Sequence, residues 1–260
     1  MATKVKSNST ARKSTRSRKS NTKEEALIQR PVDGETVPDV VREPMTYGQI
    51  EGDMDMSDLK MPRLDMVHGV GELSKTFNPG DLVYNECLVL AEKGTPIFLS
   101  VLSGRKYYRE SLPYDPDREE MPRLFGSAAE AEAAGLSTSW QDNRPPDVDK
   151  VAEFRIVIEA PEGLDTSAFP LGIEADGKEY FFAPAVWRVS RTAYGPVARQ
   201  VFSAAALTLK NCLPAGRWKL NTVREERNGN VITLPVFRQS GRYPDAVVEF
   251  FNTSVNWEQA

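Results

Sequence analysis

Asn228-Gly229 lies between two runs that alternate in polarity, Arg217 to Glu226 and Val231 to Gln239. A dipeptide of this kind supplies the positive φ angles of a tight hairpin turn, so the two runs are expected to pair antiparallel. In the first run Trp218, Leu220 and Thr222 fall on one face and Arg217, Lys219 and Asn221 on the other. Trp218 is expected in the core with the basic row in solvent. The alternative is an exposed Trp218 acting as a stacking platform. Asp176-Gly177 repeats the signal between Gly172–Ala175 and Glu179–Phe182.

Further hairpin character is expected where Leu82 to Leu90 and Ile97 to Leu102 flank the turn residues Glu92 to Pro96. Pro62 to His68, Phe154 to Ala160 and Ala185 to Thr192 read as strands. Val201 to Leu209 is ambiguous, its alanines favouring a helix while Val201, Thr208 and Leu209 accept a strand, and its context places it as a strand. One short helix is expected after Ser127, whose capping box with Glu130 precedes a run of alanines that stops at Gly135. Pro244 to Phe251 is expected to close the chain as a short helix. The fold class is mainly β (α+β), an antiparallel, hairpin-rich twisted sheet or partly open barrel with one short inserted helix.

Charge is distributed unevenly along the chain. Between Val186 and Arg242 ten basic residues face two acidic ones, so ten minus two gives +8 within a chain of net charge -4. Aromatic residues are interleaved with them. Arginines among aromatics suit a surface that follows a phosphate backbone and stacks exposed bases. A second cluster, Arg105, Lys106, Tyr107, Tyr108 and Arg109, follows a strand, and its two tyrosines must point to opposite faces. The candidate nucleic-acid-binding residues are Arg105, Lys106, Tyr107, Arg188, Arg191, Tyr194, Arg217, Lys219, Arg224 and Arg238.

Residues 1 to 30 form a basic arm, with eight Lys or Arg and no acid in the first 23. Such a segment lacks the apolar area to offset its ordering entropy and is expected to be disordered. Residues 31 to 60 carry eight acids against Arg42 and Lys60, broken by Pro31, Pro38 and Pro44, and read as an extended acidic linker. Residues 61 to 260 are expected to form a single β-rich domain.

Several chemistries are disfavoured. One histidine and two separated cysteines cannot supply the four close ligands of a structural zinc site, so no metal or cofactor is expected. His68 at a strand end reads as structural, and Gly69-Val70-Gly71 as a glycine-rich turn, because Ser74 takes the third glycine position of a dinucleotide-binding loop. No apolar run reaches the roughly 18 to 20 residues of a membrane span.

The segments Met61-Pro-Arg-Leu-Asp-Met-Val-His-Gly-Val-Gly, Phe77-Asn-Pro-Gly-Asp-Leu-Val and Gly104-Arg-Lys-Tyr-Tyr resemble a family encoded by tailed bacteriophages. So do Ala133-Ala-Gly-Leu, Thr208-Leu-Lys, Gly216-Arg-Trp-Lys-Leu-Asn-Thr and Pro235-Val-Phe. The likeness spans roughly residues 61 to 240. Some members are similar to phage single-stranded DNA-binding proteins. The resemblance implies a non-enzymatic protein of replication, recombination or transcription, in the cytoplasm of the infected bacterial host. Single-stranded DNA is the expected partner, with RNA as an alternative ligand and a homo-oligomer or phage replication or transcription proteins as further partners. The structural alternative is a virion or assembly protein whose β domain has no affinity for nucleic acid.

Overall fold

The computed structural model describes residues 61–112, 121–210, 212–227 and 229–255. The basic arm and the acidic linker lie outside the described residues. Two antiparallel sheets account for most of the domain. The smaller joins β1 (Leu64–Met66), β2 (Leu82–Tyr84) and β3 (Leu88–Ala91) in chain order. The larger contains β4 (Ile97–Glu110), β5 (Leu124–Phe125), β6 (Val148–Glu159), β7 (Leu171–Ala175), β8 (Lys178–Ser190), β9 (Gly216–Arg227) and β10 (Asn230–Arg242). Its strand order is β10-β9-β4-β6-β8-β7, with β5 pairing on the far end of β4.

The hairpin across Gly229 forms in the expected register, with Val223 opposite Leu234 and Lys219 opposite Arg238. Gly229 has φ 76, where a side chain would strain the turn. The β7–β8 hairpin turns at Asp176 and Gly177, both at positive φ. The expected pairing of Leu82–Leu90 with Ile97–Leu102 does not occur. Asn85 and Glu86 take positive φ and fold the first run back on itself, so β2 pairs with β3. The turn at 92–96 then carries the chain from one sheet to the other. Asp81 fixes that passage, accepting bonds from the Lys93 and Asn78 backbone N–H groups at 3.3 and 3.0 Å.

Three α-helices are present among the described residues, against the inserted one and the closing one expected. Helix α1 (Ala128–Ala133) is the capped one, with Ser127 Oγ accepting the Glu130 N–H at 3.2 Å. Helix α2 (Arg191–Leu207) replaces the strand expected at Val201–Leu209 and takes over Arg191 and Thr192 from the preceding strand. Its buried Val197, Ala198 and Val201 recur at helical spacing. Gly195 and Pro196 near its start hide that period from a reading by propensity. Helix α3 (Asp245–Ser254) closes the chain as expected.

The large sheet curls around α2 into a half-barrel. Trp187 on β8 and Phe237 on β10 stand at opposite ends of a five-strand run, yet their ring centroids are 5.3 Å apart. Phe237 stacks on Trp218 at 4.8 Å, and Phe154 links Trp187 to Phe202 of α2 at 6.3 and 5.9 Å. Trp218 is therefore core, at 1% exposure. The small sheet adjoins the free edge of β8 through a parallel bridge of Arg63 and Val186, and Thr222 of β9 donates to the Gly80 carbonyl. On the outer face α3 covers one end, with Phe251 against Phe182 at 4.8 Å.

Gly104 tests this packing. A Cβ there would come within 2.6 Å of Cδ1 of Phe154, a ring with no exposed surface. Gly104→Ala is expected to cost roughly 1–3 kcal/mol in chemical denaturation. A stability equal to that of the parent would show that the Phe154 packing is looser than described.

Candidate nucleic-acid interface

β6 is an inner strand of the large sheet, and its odd-numbered residues face away from α2. Three of them are carboxylates: Asp149, Glu153 and Glu159. Each gathers cations from segments distant in sequence. Glu153 Oε1 accepts from Arg105 Nε at 2.8 Å and its Oε2 from Arg188 Nε at 2.5 Å. These three residues stand directly opposite one another on β4, β6 and β8. Asp149 accepts from Arg191 Nε at 2.9 Å, and Arg191 Nη2 reaches Ser111 Oγ at 3.4 Å. Glu159 accepts two bonds from Arg217, at 2.8 and 3.1 Å, with the Tyr243 hydroxyl donating at 3.0 Å and Lys178 at 3.3 Å.

A β-bulge in β4 controls which side chains reach this face. Val101 pairs with Ile156 and Ser103 with Arg155, leaving Leu102 as the extra residue. The insertion reverses the alternation, so Arg105 and Tyr107 share the face of Phe98. Lys106 is sent to the opposite face, where its Nζ lies 5.0 Å from the ring centre of buried Tyr108. Tyr107 is half-buried beneath the Arg105 guanidinium, 5.6 Å from its ring centre. The Glu153 side chain is 12% exposed, while Arg105 and Arg188 are 72% and 51% exposed. The carboxylate is thus enclosed and the cationic heads are left outward.

Electrostatics follow this geometry. Burial raises the Glu153 carboxyl, but the bonds and charges of Arg188 and Arg105 outweigh it and hold the group below its ordinary range. Glu159 behaves alike, with burial overcome by Arg217 and Lys178. At the β1 edge Asp65 is different. Burial lifts its carboxyl, Arg63 offsets only part of that, and its Oδ2 is buried without a hydrogen-bond partner.

The remaining candidates are dispersed. Arg217 is consumed by Glu159 and lies 3.6 Å from the ring centre of Phe98. Lys219 and Arg238 are exposed cross-strand neighbours, a like-charge pairing that costs free energy unless an anion answers it. No carboxylate partners either of them among the described residues. Arg224 is exposed nearer the hairpin tip and alternates to the other face. Tyr194 is on α2, partly buried against the main core. Arg105, Tyr107 and Arg188 are brought together around Glu153, and Arg188 and Arg191 line one recess beside α2. Sequence reasoning missed Glu153 and its two companions. Their signal was an even spacing of acids along one strand.

No family model matches the chain, no curated protein is detectably similar to it, and no solved structure resembles it. Among the described residues no helix is long and apolar enough to cross a membrane.

Glu159→Gln is expected to destabilise the fold by about 1–3 kcal/mol, because half-buried Arg217 loses its anion. A carboxylate whose value is depressed on folding stabilises above its unfolded value and loses that contribution as pH falls through the folded one. Denaturation midpoints should therefore fall between neutral pH and acid below 4.5 in the parent, and less steeply in the variant. Parallel pH profiles would contradict the role given to Glu159.

Proposed function

We propose that this protein is a non-enzymatic single-stranded DNA-binding protein. It is of the phage origin that the sequence resemblance implies, and acts in replication, recombination or transcription in the host cytoplasm. The observation that carries the proposal is the convergence of Arg105, Tyr107 and Arg188 on the outer face around Glu153. Two strand spacings separate the arginines, about 10 Å, so they can contact different phosphates of one strand. Arg188 spends only its Nε on Glu153 and Arg105 its Nε and Nη2, which leaves both terminal amino groups of Arg188 and the Nη1 of Arg105 for phosphate oxygens. Tyr107 beside them offers a ring on which a base can stack. The exposed Lys219–Arg238 pair extends the positive surface along the β9–β10 hairpin.

The test is fluorescence anisotropy with a labelled single-stranded oligonucleotide over a salt series, with duplex of the same sequence as competitor. Single strand should bind over duplex, and affinity should fall steeply with salt. Arg105→Ala and Arg188→Ala should each lower the salt slope by about 1. Tyr107→Ala should weaken binding by about 1–3 kcal/mol. Affinity that is flat with salt, or untouched by all three substitutions, contradicts the proposal. Stable self-assembly without oligonucleotide binding would favour a virion or assembly role.

A further inference from the structure

Arg188 borders a second feature. Between the loop after β1 and the corner where β8 meets α2 lies a recess of about 560 Å³. Three cations line it, Arg109, Arg188 and Arg191, with Trp187, Leu220 and Pro235 as its apolar inner wall. Arg109 is exposed and has no ion-pair partner among the described residues. Arg191 is held in the left-handed region at φ 51 while bonded to Asp149, which fixes its guanidinium at the mouth. Ser190 makes no side-chain cap on the 17-residue α2, and no acid occupies the first helical turn. The helix N–H groups beside the arginines therefore add to the positive potential rather than being neutralised locally.

The shape restricts what can enter. The apolar wall is buried, with Leu220 having no exposed surface and Trp187 4%. The volume of the recess lies in the range of small-molecule sites, enough for one nucleotide. A cationic end and an apolar end are both provided. The arginines fit a phosphate, and the Trp187, Leu220 and Pro235 wall fits a base or sugar; Asp65, His68 and Glu72 also line the recess. Because Arg188 belongs both to this recess and to the Glu153 cluster, the two surfaces are continuous.

We infer that the recess takes one nucleoside monophosphate unit, the phosphorylated end of a single strand that lies across the Arg105–Tyr107–Arg188 face. This inference rests on the single-stranded DNA-binding proposal for its source of ligand, and the recess chemistry is separable from it.

Calorimetric titration of the full chain with deoxyadenosine monophosphate, deoxyadenosine and inorganic phosphate tests the recess. Anisotropy with oligonucleotides that differ only in a terminal phosphate tests its link to the strand. The monophosphate should bind more tightly than either part, and the phosphorylated oligonucleotide more tightly than its unphosphorylated twin. Arg109→Ala, which breaks no internal ion pair, should lower both effects roughly tenfold. Its thermal melt, matched to the parent, excludes misfolding as the cause. Oligonucleotide binding that ignores the terminal phosphate, with no monophosphate binding, overturns the recess and leaves the open face standing. Monophosphate binding without oligonucleotide binding supports the recess and overturns the open face. No binding of either kind overturns both.

Discussion

A buried or half-buried carboxylate in a β-sheet must be answered by a cation, and here that requirement organises the outer face. Glu153 and Glu159 on β6 are 12% and 11% exposed; arginines of the flanking β4 and β8 bond Glu153, and Arg217 of β9, one strand further, bonds Glu159. Without those arginines the carboxylates would be stranded in a poor solvent. Without Glu153, Arg105 and Arg188 would repel one another across β6. The acids of one strand thus neutralise part of a segment that is strongly basic when taken alone.

The same constraint shapes what remains available for a ligand. Ion pairing does not remove Arg105 and Arg188 from the surface, because each uses one edge of its guanidinium on Glu153. It orients them. An arginine held in this way loses less side-chain entropy when it meets a phosphate than a free one does. Arg217 is in another situation, bonded twice to Glu159 and set on Phe98, and its role is structural. The Leu102 bulge completes the arrangement by turning Arg105 and Tyr107 outward and Lys106 away.

Local signals in the sequence were legible where the physics is local. Asn228-Gly229, Asp176-Gly177 and the Ser127–Glu130 capping box each specify a turn or a helix start within a few residues, and the β9–β10 pairing, the β7–β8 hairpin and the α1 cap formed as expected. Alternation set Trp218 on one face with Leu220 and Thr222, and the structure shows that face to be the core. The failures were non-local or masked. Two left-handed residues, Asn85 and Glu86, redirected a run that alternation reads as one strand. Pro196 disguised α2. The partners of Glu153 lie 48 residues before it and 35 after it, a separation that no motif reports. The basic stretch was visible from composition, but which of its cations are already satisfied depended on a strand elsewhere in the chain.

The most direct measurement is the pattern of backbone amide shifts when single-stranded oligonucleotide is titrated into isotopically labelled protein. Perturbations concentrated at Ser103–Arg109, Val151–Arg155 and Val186–Arg191 would place the ligand on the Glu153-centred face, as this account requires. Shifts confined to the first 60 residues, or to the α3 end of the sheet, would contradict it.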